Sequence, residues 1–260
     1  MASFSELQEL HEQRLDPKRV LESFFRMESE FHADSVQRIF DQLNKCFSSG
    51  GVKGKTLTQL SVGPLFQYLF LASDYFTEII IGGSTDKCIS EIEKWRTNAP
   101  GAVDCSHAAK LTCELQGNRD TWTEKQNTLQ SKIKDVLKYD VSKSNPFSPT
   151  TVPPADCLFL KHCLECHTTT IEGFCSALNN VSTLLKKGGT LIMMTCLEQT
   201  YFMVDTFRFP NLSISKESLE TSIIDAGFVI EETVTLPRTV QRSYDIADYK
   251  AVMYVKAKKK

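Results

Sequence analysis

The chain has 260 residues, of which 41% are hydrophobic and 24% charged, and its 30 basic and 32 acidic residues give a net charge of -2. This length allows one large domain or two small ones, and this composition excludes a disordered, collagen-like or coiled-coil chain. The balanced charge provides no broad electrostatic surface for DNA, RNA or an acidic membrane. We therefore expect a soluble globular protein with neither a nucleic-acid nor a membrane partner.

The cysteines indicate the cellular compartment. There are nine of them, an odd number, in a chain too long to need disulfide bonds for stability. The N-terminus lacks a basic segment followed by an apolar one, and no segment approaches the roughly 20 apolar residues of a membrane span. The sequence therefore predicts free thiols in a reducing compartment, with the cytoplasm as the expected location.

The N-terminal part of the chain is predicted to be a helical cap. Apolar residues at helical spacing follow Asp16-Pro17, where the proline is well placed to start a helix, and they continue to Phe47. Ser48-Ser49-Gly50-Gly51 then ends the helical region. We expect a single domain in which residues 1–50 cap a core formed by residues 51–260.

In the core, predicted strands alternate with predicted helices. The strands are short segments, most of them rich in apolar residues, and the helices carry apolar residues three or four positions apart. The predicted strands are residues 56–60, 78–81, 155–160, 190–194, 228–236 and 248–257, and the predicted helices are residues 64–73, 85–96, 122–137, 170–185 and 215–226. This order indicates an α/β fold with a mostly parallel sheet, helices on both faces and an antiparallel hairpin at the C-terminus.

A ligand of such a sheet binds outside the carboxyl ends of the strands. The residues predicted to lie along that edge are 60–64, 82–86, 139–142, 160–167 and 195–201. We therefore expect the functional site to be formed by residues of these five segments.

One of the five segments contains the string Cys163-Leu164-Glu165-Cys166-His167. The string matches the pattern of c-type haem attachment, and a zinc site that includes Cys157, His162 and Cys175 is the other possibility. Haem attachment needs an export signal and zinc a second spaced pair, and the sequence has neither. We interpret these thiols as packing residues and expect no bound metal or haem.

The first strand-to-helix turn, Gln59-Leu60-Ser61-Val62-Gly63-Pro64, is where backbone N–H groups and a helix N-terminus would bind a nucleotide. It has one glycine where nucleotide-binding turns usually have two or three. The second strand ends in Gly82-Gly83, without the carboxylate that bonds ribose hydroxyls, and Asp86 is the first acidic residue after it. From these residues alone, an ordinary tight turn is as good an interpretation as a nucleotide site.

A longer set of residues in a fixed order is more specific. It includes Asp16-Pro17, Gly51-Val52-Lys53-Gly54, Gly63-Pro64, Gln116-Gly117-Asn118, Asp140-Val141, Pro153-Pro154-Ala155-Asp156-Cys157 and Asp225-Ala226-Gly227-Phe228. In this set the chain resembles, nearly end to end, the small-molecule N-methyltransferases that comprise nicotinamide, phenylethanolamine and indolethylamine N-methyltransferases. The resemblance implies a Rossmann-like methyltransferase fold, S-adenosylmethionine as the methyl donor, and a monomer.

The resemblance also implies which positions bind the cofactor: Phe25, Ser61, Gly63, Pro64, Gly83, Ser84, Asp140 and Val141. Family members usually have Asp-x-Gly-x-Gly-Pro at the first turn, where this chain has Gln59 and Ser61 in place of the aspartate and the first glycine. The ribose-binding aspartate and the aromatic residue after it correspond to Gly83 and Ser84. Asp140-Val141, associated in the family with the adenine, is retained.

The N-terminal helix departs from the family as well. Three tyrosines that help to close it over the cofactor correspond to Val20, Phe24 and Phe25. Each lost charged hydrogen bond at the cofactor costs on the order of 1 to 3 kcal/mol. We therefore expect weaker cofactor binding than in other family members.

For the methyl acceptor, the resemblance implies binding by Glu165, Thr195, Glu198, Gln199, Phe202 and Asn211. Thr195 replaces an aspartate that favours nicotinamide, whereas Glu165 and Glu198 match carboxylates that the phenylethanolamine branch places near its amine. Tryptamine-like or phenylethylamine-like acceptors are therefore expected to be better than nicotinamide. The alternatives are that both glutamates are surface residues and that Tyr201, Phe202 and Tyr249 are core residues rather than an aromatic wall.

Two functions remain open from the sequence. The first is an S-adenosylmethionine-dependent N-methyltransferase that acts on a small amine or a heteroaromatic nitrogen. The second is a non-catalytic binding protein that has kept the methyltransferase fold after its cofactor site eroded. Methyl transfer depends mostly on positioning and desolvation, so the absence of an assigned catalytic residue does not argue against the first.

Overall fold

A computed structural model describes residues 2–25, 30–118, 121–239 and 246–260, without the side chains of residues 23–25 and 30–35. Its α-helices are α1 (Phe4–Arg14), α2 (Pro17–Phe25), α3 (Glu30–Ser48), α4 (Leu69–Ala72), α5 (Asp86–Arg96), α6 (Ser106–Leu115), α7 (Trp122–Lys132), α8 (Ile171–Ser182) and α9 (Lys216–Asp225). Within these described ranges, no helix is both long and apolar enough to cross a membrane.

The strands are β1 (Gly54–Ser61), β2 (Phe76–Gly83), β3 (Ile133–Lys138), β4 (Ala155–Lys161), β5 (Leu185–Leu197), β6 (Tyr201–Val204), β7 (Phe207–Pro210), β8 (Phe228–Pro237) and β9 (Ala251–Lys259). Seven of them form one sheet in the order β3-β2-β1-β4-β5-β9-β8. The five strands from β3 to β5 are parallel, and β9 is antiparallel to both neighbours. This arrangement confirms the predicted α/β fold with its C-terminal antiparallel hairpin.

Helices cover both faces of the sheet. Side chains of α3, α5 and α6 pack with β1 and β2 in one apolar cluster, which is centred on Phe40, Phe66 and Trp95. The other face packs against α8 and α9 around Phe174, Leu178 and Leu219. The sheet is therefore buried on both sides, as a doubly wound parallel sheet requires.

The predicted N-terminal cap consists of α1, α2 and α3. A capping box starts α1, because the Ser3 side chain accepts from Glu6 N while the Glu6 side chain accepts from Ser3 N. Along the next two helices, Val20, Phe40 and Phe47 point into the core and are almost completely buried. The cap is thus held to the sheet by apolar burial.

Two parts of the core differ from the predictions. The segment predicted as one helix, residues 122–137, is helical only to Lys132 and continues as β3, which pairs in parallel with β2. Ile133, Val136 and Leu137 fit a helical spacing, but pairing at the sheet edge overrides that local pattern. The segment predicted as a helix at residues 64–73 is a 3-10 turn, Phe66–Tyr68, followed by the single turn α4.

The β6–β7 hairpin was not predicted from the sequence. Its two strands pair in antiparallel register, with Phe202 opposite Phe209. These two rings stack at a centroid distance of 5.1 Å. The hairpin lies directly after β5 in the chain, so it extends over the carboxyl edge of the sheet.

Candidate functional site at the carboxyl edge of the sheet

The carboxyl ends of the parallel strands form one row. Ser61 at the end of β1 pairs with Gly83 on one side and with Lys161 on the other. Gly83 in turn pairs with Lys138, and Lys161 with Met194. The segments predicted to carry the cofactor positions therefore start from one edge, and their remaining contacts determine what this edge binds.

The first turn packs directly against the N-terminal cap. An added Cβ at Gly63 would lie 2.7 Å from Val20 Cγ1, so any larger residue at this position would force Val20 or the turn to shift. Ser61 Oγ donates to Gly63 O at 2.6 Å, and Pro64 is buried. The turn is held in a fixed shape beneath α2.

The end of β2 is also closed by short contacts. An added Cβ at Gly83 would lie 2.9 Å from Ile89 Cγ1, so a carboxylate side chain at Gly83 would collide with α5. The Ser84 hydroxyl donates to Val62 O, and Gln8 Nε2 donates to Ser84 O at 2.5 Å. Ser84 therefore links the first turn to the second and to α1.

The end of β3 places three consecutive residues in different surroundings. Tyr139 is fully buried, and its hydroxyl donates to Ser61 O at 3.0 Å. Asp140 is at the surface, where Oδ1 accepts from Ser142 N at 2.9 Å and from Ser142 Oγ at 2.6 Å. Val141 is buried among apolar side chains. Asp140 thus has one carboxylate oxygen in a local turn and the other within 3.7 Å of Lys143 Nζ.

Three buried side chains, one of them on α1, carry polar atoms without a hydrogen-bond partner among the described residues. These atoms are Nδ1 and Nε2 of His11, Nε2 of His167 and Oε1 of Glu165. The His11 and His167 rings meet edge to face at a centroid distance of 4.8 Å, and His167 also contacts the Tyr139 ring. Burial lowers the pKa of both histidines, so both are neutral near pH 7.

Unpartnered buried polar atoms are costly unless something completes their hydrogen bonds. S-adenosylmethionine has an ammonium, a carboxylate, ribose hydroxyls and an adenine, which include donors and acceptors for all of these atoms. The residues present at this edge therefore fit that cofactor. The side chain of Phe25, which is also predicted to contact it, lies outside the described residues.

A cavity of roughly 1000 Å³, part of it open to solvent, lies next to this edge. The cavity is mainly apolar, and rings of Tyr68, Phe202 and Tyr249 form part of its wall. Its further lining residues are Val36, Arg38, Ile39, Val62, Leu65, Lys161, His162, Cys166, Cys196, Gln199, Leu236, Pro237, Ile246, Ala247 and Val252. An apolar lining with a few polar groups is typical of small-molecule sites.

A buried ammonium lies at the side of this cavity. Lys161 is only 1% exposed, and its Nζ lies 2.5 Å from His162 Nε2 and 5.3 Å from the centroid of the Tyr68 ring. Burial lowers the pKa of Lys161 to about 8. Burial and the neighbouring Lys161 lower the pKa of His162 to about 4. At neutral pH the proton of this pair therefore stays on Lys161 and His162 is neutral.

The predicted acceptor residues separate into two groups. Gln199 and Phe202 line the cavity, and Asn211 lies just behind it, where its Oδ1 accepts from Cys166 Sγ at 3.2 Å. Thr195 is buried on β5 opposite Met253 and does not line the cavity. The cavity wall at β5 is formed instead by its neighbour Cys196.

Neither glutamate of the predicted acceptor site lines the cavity. Glu198 lies at the surface in an ion pair with Lys250. Glu165 is buried, its Oε2 accepts from Cys163 N at 3.2 Å, and its Oε1 lies 3.6 Å from His162 Nδ1. The structure therefore gives neither carboxylate a direct contact with a molecule in the cavity.

The Cys163–His167 string is packed inside the protein. Cys163 Sγ donates to the Tyr139 hydroxyl at 3.4 Å, and His167 Nδ1 lies 2.8 Å from Cys163 O. Burial raises the pKa of the Cys163 and Cys166 thiols. Within the part of the chain that the structure describes, no three His, Cys, Asp or Glu side chains are grouped as metal ligands would be.

The strand order and the ligand edge define a methyltransferase fold. In the crystal structure of magnesium protoporphyrin IX methyltransferase (ChlM) from Synechocystis with bound SAM, the fold is the same, with a TM-score of 0.61 at 10% identity. The match covers 98% of this chain and 97% of that chain.

The sequence model of the NNMT/PNMT/TEMT family matches residues 5–260, and the chain belongs to this family. Rabbit (Oryctolagus cuniculus) indolethylamine N-methyltransferase is 33% identical over 94% of this chain and 93% of that protein. Human nicotinamide N-methyltransferase is 34% identical over 83% of each chain.

The sequence did not indicate Lys161 as a site residue, and it indicated His162 only as a possible zinc ligand. A signal for Lys161 was present, because it is a charged residue that directly follows the apolar run Cys157–Leu160, at the carboxyl end of a predicted strand. His11 gave no comparable signal, since its burial depends on how α1 packs against His167 and the β6–β7 hairpin.

Proposed function

We propose that this protein is an S-adenosylmethionine-dependent N-methyltransferase whose acceptor is a small molecule with an amine or a heteroaromatic nitrogen. The observation that carries the proposal is the aromatic-walled cavity beside the polar carboxyl edge of a methyltransferase sheet. The family relatives named as indolethylamine and nicotinamide N-methyltransferases support the reaction class.

The residues at the strand ends would hold the cofactor. S-adenosylmethionine, when bound, supplies an electrophilic methyl group on a positively charged sulfur. Gly63 leaves the first turn without a side chain at that position, and Asp140 and Val141 would provide the predicted adenine contacts. The unpartnered nitrogens of His11 and His167 would be available to polar groups of the bound cofactor.

The cavity walls would orient the acceptor. Phe202 stacks on Phe209 and also contacts His11, so this ring is fixed between the cap and the β6–β7 hairpin. Gln199 donates from Nε2 to Tyr201 O at 2.8 Å, which fixes its amide. A rigid apolar wall would desolvate the acceptor and restrict its orientation, and positioning of this kind provides most of the catalysis in methyl transfer.

An assay of methyl transfer tests the proposal. The purified chain is incubated with S-adenosylmethionine labelled in the methyl group and with tryptamine, phenylethylamine, nicotinamide and pyridine-3-carboxylate as separate acceptors. We expect a labelled N-methyl product from at least one of them. We also expect Phe202→Leu to raise the acceptor KM while leaving the Kd for S-adenosylmethionine unchanged. Absence of transfer to every acceptor would favour a non-catalytic binding protein.

We further propose that the protein acts as a monomer in the cytoplasm. The described cysteines are all free thiols, which suits a reducing compartment. Sedimentation equilibrium of the purified chain tests the monomer, and fractionation of cells that express it tests the location. A stable dimer or recovery in a secreted fraction would contradict these two statements.

A further inference from the structure

The charged side chains that line the cavity have one sign. Among the described residues that line it, the permanently charged or basic side chains are Arg38 and Lys161, and there is no aspartate or glutamate. Arg38 is only partly buried, and its Nη1 donates to Pro237 O at 2.8 Å. Lys161, in contrast, is buried inside the apolar wall. A molecule in the cavity would therefore be next to two positively charged side chains, one of which is the buried ammonium of Lys161.

The Lys161 ammonium has unused hydrogen-bonding capacity. It carries three N–H donors, and its hydrogen bond within the described part of the chain is with His162 Nε2. Glu165 is the carboxylate that acts electrostatically on Lys161, but its Oε1 lies 3.6 Å from His162 Nδ1, and among the described residues no carboxylate oxygen lies within ion-pair distance of Lys161 Nζ. The Tyr68 ring beneath it provides only a cation–π contact. A buried charge in this situation is stabilised strongly by an anionic partner.

We propose that the methyl acceptor carries a carboxylate in addition to its nucleophilic aromatic or heteroaromatic nitrogen, and that Lys161 binds this carboxylate inside the cavity. The proposal rests on the proposed function and narrows its substrate class. It replaces the expectation of a cationic amine, because Glu165 and Glu198, on which that expectation depended, do not line the cavity. Lys161 is thus a specificity-determining residue.

The charge balance of the transfer agrees with an anionic acceptor. The nitrogen lone pair forms the new N–C bond while the electron pair of the C–S bond moves to sulfur. The positive charge therefore passes from sulfur to nitrogen, and a pyridine-type nitrogen releases no proton. A neutral acceptor gives a cationic product beside Lys161 and Arg38, whereas a carboxylate-bearing acceptor gives a product without net charge. The positive cavity therefore favours the second product electrostatically.

Two pyridines of almost equal shape test the proposal. Pyridine-3-carboxylate and pyridine-3-carboxamide differ mainly by one negative charge, and their Kd values are measured by calorimetry with the full chain in the presence of S-adenosylhomocysteine. We expect the carboxylate to bind at least about tenfold more tightly, as a charge-assisted hydrogen bond implies. Lys161→Met should reduce this preference to near unity, and Lys161→Arg should retain part of it.

A control variant and a second readout separate the outcomes. Lys134→Met removes an exposed lysine on β3 that pairs with Glu78, so it should leave the preference unchanged. Equal binding of the two pyridines by the wild type, or an undiminished preference in a folded Lys161→Met variant, would overturn the proposal. If the carboxylate preference depends on Lys161 but no acceptor is methylated, the proposed function fails and the carboxylate site stands. Faster methylation of the carboxamide than of the carboxylate would overturn the proposal of a carboxylate-bearing acceptor, while the proposed N-methyltransferase function would stand.

Discussion

The Nζ of Lys161 and the Nε2 of His162 lie 2.5 Å apart in a wall that both side chains share with Tyr68, Phe202 and Tyr249. Lys161 is the last residue of β4 and His162 is the residue after it, so the end of this strand determines the position of both side chains. His162 has a left-handed backbone with φ of 45°, and its N–H donates to Met194 O at 3.0 Å. The pair therefore holds one proton at a defined place beside the cavity.

This buried ammonium should lower the stability of the protein near neutral pH. We expect Lys161→Met to have a larger free energy of unfolding than the wild type at about pH 7, because methionine keeps an apolar stem and removes the desolvated charge. The groups facing Lys161 are His162, Tyr68, Cys166, Cys196 and Glu165, and the variant retains all of them.

The pH dependence of this difference has a definite sign. Folding lowers the pKa of Lys161 to about 8, whereas a lysine in the unfolded chain has a pKa of roughly 10.4. Between these values the unfolded wild type binds more protons, so its stability rises with pH relative to that of Lys161→Met. Urea unfolding of both proteins near pH 7 and near pH 10 checks this, since shared cysteine and tyrosine ionisations cancel. The difference in free energy of unfolding between Lys161→Met and the wild type should shrink from pH 7 to pH 10. A difference that stays constant or grows would contradict the burial of the Lys161 ammonium.

The contact between Gly63 and Val20 should appear as energetic coupling. Gly63→Ala places a Cβ 2.7 Å from Val20 Cγ1, and overpacking of this kind typically costs about 1 to 3 kcal/mol. In a Val20→Ala background the same substitution should cost less, with a coupling of about 1 kcal/mol. Denaturant unfolding of the four proteins measures this cycle. Gly51→Ala is the matched control, because its Cβ would approach only Lys256 Nζ, at 3.8 Å. Additive effects at Gly63 and Val20 would show that α2 does not pack on the first turn.

Asp140 should be required for cofactor binding. We expect Asp140→Ala to abolish the rise in Tm that S-adenosylmethionine gives the wild type, since the adenine loses an acceptor that Gly83 and Ser84 cannot replace. Ser142→Ala is the control, because it removes one hydrogen bond of the local turn and keeps the carboxylate. It should retain the rise in Tm. A rise that persists in Asp140→Ala would place the adenine elsewhere.

The parts of the fold that could be predicted from the sequence are those whose local pattern and tertiary role agree. β2 and β4 contain apolar runs, β1 is a short segment rich in threonine and leucine, and all three end in a glycine-containing or polar turn and are mostly buried strands in the structure. β3 could not be separated from α7, because its apolar residues fit both a helical and a strand spacing. Its pairing with β2 is a long-range contact that local periodicity does not contain.

The candidate site was predictable to a similar degree. Resemblance to a family indicated Gln199 and Phe202, which share the cavity wall. It did not indicate Lys161, because the property that matters is the burial of its ammonium beside Tyr68, more than ninety positions away in the chain. The positions of Glu165 and Glu198 relative to the cavity depend in the same way on the segments that follow β4 and β5.

Direct titration of the purified chain with S-adenosylmethionine tests whether this protein binds the methyl donor at all. We expect heat of binding at one site per chain and a rise in Tm with cofactor concentration, because a ligand that binds only the folded state stabilises it. The same titration with Asp140→Ala should give no heat. If the wild type shows neither heat nor a change in Tm at millimolar cofactor, the assignment of a methyltransferase activity to this protein is wrong.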